Sequence, residues 1–69
     1  MDGATLTRMA NDIARNLAAQ GDAEAITAMA QHIRDFWDPR MKAAIPALDR
    51  QALHPIAAAA FDAAVARVN

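Results

Sequence analysis

Two histidines, three threonines and eight carboxylates are the side chains of this sequence suited to acid–base, nucleophilic or metal chemistry, and their spacing assembles none of it. His32 and His54 fall on different segments, without the carboxylates at helical spacing that would complete a metal site. Thr5, Thr7 and Thr27 have no adjacent general base, and serine is absent, so a hydroxyl nucleophile has no support. There is no cysteine, which removes disulfides, thiolate metal ligands and a thiol nucleophile together. Asp35 and Asp38 are the nearest thing to paired carboxylates, but they straddle the expected end of a helix, where capping accounts for Asp38 in full. No independent catalytic centre is expected, and no cofactor is expected to bind this chain.

The residues that remain suit recognition. The stretch 33–41, Ile-Arg-Asp-Phe-Trp-Asp-Pro-Arg-Met, holds the single tryptophan, one of two phenylalanines and an arginine beside them. Tryptophan and arginine are over-represented among the anchors of protein interfaces. Adjacent helical positions point about 100° apart, so Phe36 and Trp37 cannot both occupy the centre of one narrow apolar stripe. The expected division puts Ile33 and Phe36 in the core and leaves Trp37, with Arg40, for a partner. His32 reads as a histidine on the flank of the same helix.

Four helical segments are needed to place these residues. From 4 to 20, Leu6, Met9, Ala10, Ile13 and Leu17 recur at three and four residues, the pattern of an amphipathic helix. Thr5 or Asp2 can cap its start, and Gly21 can end it in a left-handed conformation. Asp22 is then expected to cap a second helix over 23–37, with Ile26, Met29, Ala30 and Ile33 on its apolar face. Together these predict an antiparallel hairpin. Asp38 suits the N-cap, and Pro39 the first position, of a third helix over 39–45, making a sharp corner with almost no loop. Pro46 would clash with the carbonyl of Lys42 if that helix continued, so an irregular stretch is expected from 46 to 51. The last helix, 55–67, restarts after His54, a weak cap, and is rich in alanine with a thin apolar face. The fold class is all-α, a small bundle of three to four helices, with residues 1–69 as one domain.

Size and charge narrow the function further. A chain of 69 residues buries only about 60% of the surface its unfolded form exposes. Much of the apolar content is alanine, so a subunit completed by a partner is expected. Seven Lys and Arg against eight Asp and Glu leave a net charge of −1, with no basic block to follow phosphates, and nucleic acid is not an expected partner. No stretch has the length of a membrane span, and the Met-Asp-Gly-Ala start lacks a signal-peptide pattern. A soluble, cytoplasmic protein is expected.

Two elements, Arg-Met-Ala-Asn at 8–11 and Phe-Trp-Asp-Pro-Arg-Met at 36–41, give the chain a resemblance to the delta subunits of NAD-dependent, molybdenum-containing formate dehydrogenases. The resemblance covers residues 5 to 45 and, more loosely, the remainder; Pro46 and the alanine-rich tail depart from the family pattern. It implies an accessory subunit that supports assembly or stability of a complex whose alpha, beta and gamma subunits carry the molybdopterin, iron–sulfur clusters, flavin and NAD site. The alpha subunit is the expected partner. The positions it marks for contact are Arg8, Asn11, His32, Phe36, Trp37, Asp38, Pro39, Arg40 and Met41. Two other readings stand beside it: a transient chaperone for assembly or cofactor insertion, and a helical module that self-associates, as a homodimer in isolation.

Overall fold

The computed structural model describes residues 2–66 and is all-α, with four α-helices and three short 3-10 turns among them and no strand. Helix α1 spans Gly3–Leu17, α2 Asp22–Phe36, α3 Pro39–Ala44 and α4 Pro55–Ala66. The final position of the expected fourth helix, residue 67, lies outside the described residues.

Each boundary follows from local chemistry. Asp2, not Thr5, caps α1 by accepting the Thr5 N–H at 2.8 Å. That backbone hydrogen bond, with one from the Thr5 side chain, holds the Asp2 carboxyl below its ordinary value of 3.8. The chain tightens through a 3-10 turn at Ala18–Gln20 and reaches Gly21 with φ 96° and ψ 151°, an extended positive-φ conformation reserved for glycine. Gly21 also supplies the first carbonyl of α2, accepting the Ala25 N–H at 2.9 Å. The expected capping role of Asp22 is therefore corrected: Asp22 is the first helical residue, and it and Glu24 place negative charge near the positive end of α2 without a capping hydrogen bond.

Helix α2 stops where the sequence predicts. Trp37 turns to φ −80°, ψ 130° and Asp38 to φ −76°, ψ 170°, the extended shape that a following proline requires. Asp38 accepts the Met41 N–H at 2.9 Å, with Pro39 just inside α3. Pro46 sits in a 3-10 turn at Ile45–Ala47, and the Lys42 carbonyl that it would have met accepts the Ile45 N–H instead. The third 3-10 turn, Arg50–Ala52, is capped by Asp49. His54 opens α4 by accepting the Ile56 N–H on Nδ1 at 3.1 Å.

The core runs through the whole bundle. Leu6, Ala10 and Ala14 of α1 meet Ala25, Met29, Ala30 and Ile33 of α2, while Ile56, Ala57, Ala60 and Phe61 of α4 are buried against them. The most extensive packing joins α2 to α4, not α1 to α2. Alanines at 57 and 60 leave room for close approach of the helices, and Phe61 fills the centre at 1% exposure. The thin face of the last helix is thus what lets it pack against α2. No polar or charged residue is buried among the described residues.

Candidate partner interface

At the corner between α2 and α3 the structure reverses the expected division between the two aromatic residues. Trp37 is buried at 4% exposure, its ring 5.4 Å from that of Phe61, whereas Phe36 stands 73% exposed. The reason lies in the row of side chains at four-residue spacing. Ala25, Met29, Ile33 and Trp37 follow one row into the core, and the adjacent row, Ala28, His32 and Phe36, climbs toward solvent. His32 is half-buried with its ring 5.1 Å from Phe36 at a 34° tilt, so it supports one side of the exposed ring.

Asn11 also has work inside the fold. Its Nδ2 donates to the Ala52 carbonyl at 2.9 Å, and its Oδ1 accepts the His54 N–H at 2.7 Å. One amide thereby satisfies the backbone on both sides of Leu53 and ties the α3–α4 connection to α1. The partners fix which end of the amide faces which group. Asp38 is committed to its cap, and Pro39 is exposed as the first residue of α3.

Arg8 and Arg40 are exposed and belong to neither of the ion pairs seen among the described residues, Asp12–Arg15 and Arg50–Asp62. The latter pair holds the Arg50 guanidinium above its ordinary value through the Asp62 carboxylate. Arg8 borders an open cleft of about 440 Å³ between α1 and Ala47, Leu48 and Asp49. Arg40 borders a smaller cleft of about 270 Å³ with Leu6, Asp38, Met41 and Ala44. Met41 is half-buried on its wall.

Lys42 is the residue of this corner that sequence reasoning missed. It donates from Nζ to the Arg34 carbonyl at 3.0 Å, capping the end of α2 from the next helix. Its place one turn beyond an expected helix stop was the available signal.

A protein-family model describing the NADH-dependent formate dehydrogenase delta subunit FdsD matches residues 5–61. The chain belongs to the FdsD family. The FdsD match takes in both the Asn11 tie and the aromatic corner, and it reaches Phe61, the residue against which Trp37 packs. It also passes through Pro46 and most of α4. No curated protein and no solved structure matches this FdsD chain.

No three His, Asp or Glu side chains among the described residues converge as a metal site requires, and the sequence holds no cysteine for a cluster. No helix among the described residues is long and apolar enough to cross a membrane.

Proposed function

We propose that this chain is a noncatalytic accessory subunit of a cytoplasmic formate dehydrogenase, docked on the molybdenum-containing alpha subunit through the corner around Phe36 and supporting assembly or stability of the complex. In this reading the molybdopterin, iron–sulfur clusters, flavin and NAD site belong to the alpha, beta and gamma subunits. Family membership supports the setting. The observation that carries the docking surface is the Phe36 ring, 73% exposed in a molecule that buries its other large aromatic rings at 4% and below. A phenylalanine left in water forgoes a burial free energy of about 1.5–3 kcal/mol, which a partner pocket would recover.

Phe36→Ala tests the reading. Because the ring packs on little besides His32, the variant is expected to keep its thermal midpoint. Its affinity for the alpha subunit should fall about thirtyfold, the loss of an interface anchor worth about 2 kcal/mol. Unchanged binding by a folded Phe36→Ala chain would remove Phe36 from the interface and with it the basis for this docking surface.

A further inference from the structure

Arg40 is a cation without employment in the fold. It occupies the second position of α3, an end where a helix favours negative rather than positive charge. Among the described residues, Arg34 donates to Gln31, Lys42 to the Arg34 carbonyl, and Arg15 and Arg50 to aspartates, whereas Arg40 has no such contact. It overhangs the cleft whose walls are Leu6, Met41 and Ala44. Asp38 borders the same cleft, but its carboxylate already accepts the Met41 N–H at 2.9 Å. The cleft therefore combines an apolar wall with one uncommitted guanidinium.

That combination restricts the occupant. At about 270 Å³ the space lies below the range of roughly 300–1,000 Å³ usual for small-molecule and cofactor sites. A small free anion would satisfy the guanidinium and leave the apolar wall wet. A side chain of a protein segment can cover the wall while a neighbouring carboxylate meets the planar fork of the arginine in two parallel hydrogen bonds.

We propose that this cleft receives a segment of the partner subunit in which an apolar side chain lies on the half-buried Met41 and Ala44 and an adjacent Asp or Glu pairs with Arg40. The proposal rests on the docking reading above and specifies the chemistry of the surface opposite.

Arg40→Glu and Arg40→Lys, assayed with the alpha subunit beside Phe36→Ala, test it. Arg40→Glu should retain the thermal midpoint, bind at least tenfold more weakly at low salt, and lose most of that deficit at high salt, where charge contacts are screened. Arg40→Lys should bind nearly as the parent does and, treated with a carbodiimide, form a zero-length cross-link from position 40 to an Asp or Glu of the alpha subunit that lies next to an apolar residue. Wild-type binding by Arg40→Glu together with weakened binding by Phe36→Ala overturns the carboxylate pairing and leaves the docking reading standing. Wild-type binding by both overturns the two together. A deficit in Arg40→Glu that is equal at all salt concentrations, or an Arg40→Lys complex without a cross-link at position 40, also overturns the pairing.

Discussion

Phe36 and Trp37 are neighbours in the chain with opposite energetic roles, and truncating each should separate folding from binding. Trp37→Ala removes a ring packed on Phe61 in a site at 4% exposure and is expected to cost about 3–5 kcal/mol of stability, read as a large drop in the denaturation midpoint. Phe36→Ala should leave that midpoint nearly unchanged. The sequence made one inside and one outside residue legible at this corner, because the 100° step forbids both from sharing one stripe. Which was which could be read only by following the row Ala25, Met29, Ile33, Trp37 at four-residue spacing, since the three-residue step from Ile33 points as plausibly to Phe36. Burial of Trp37 depended on Phe61, a partner 24 positions away, and no local pattern carries that contact.

Among the elements, the helix boundaries were the most legible, because capping and proline chemistry is local: Asp38, Pro39, Pro46 and Pro55 all act where their types require. Asp22 differs because Gly21 already provides the turn, and its carbonyl begins α2. Gly21→Ala should therefore cost about 1–3 kcal/mol from backbone strain alone, since an added Cβ would meet no atom within 4 Å. Asn11 was legible as a marked position, but not as a structural one, because its partners, Ala52 and His54, are more than 40 residues away. Asn11→Ala leaves both backbone groups without that amide and should cost about 1–3 kcal/mol, with faster hydrogen exchange at the His54 amide as the local readout. The cap on α1 has a pH signature. Asp2 titrates below its ordinary 3.8, so its contribution is complete above that value and is lost as pH falls through the lowered one. Asp2→Asn, also a good cap, should match the parent near neutral pH and lack this part of the parent's acid-induced loss in thermal midpoint.

For the molecule as a whole, the expected shortage of core is met by close helix packing instead of bulk, with alanines 10, 14, 25, 57 and 60 fully buried where larger side chains would hold the helices apart. Among the described residues this leaves Phe36 as the one large hydrophobic side chain in the exposed class. A phenylalanine contributes about 150–250 Å² at most, whereas a stable interface between two chains buries on the order of 1,200–2,000 Å². Two copies meeting ring to ring at this corner would bury only a fraction of that area, and docking on the alpha subunit likewise needs contacts beyond the ring, of the kind proposed for Arg40. The isolated chain is accordingly expected to sediment as a monomer at micromolar concentration, with a thermal midpoint independent of concentration. Addition of the alpha subunit should raise that midpoint, since a partner that binds only the folded chain stabilises it by mass action. A concentration-dependent midpoint abolished by Phe36→Ala would instead make the corner a contact between two copies, and the alpha subunit would then have to compete for the same ring.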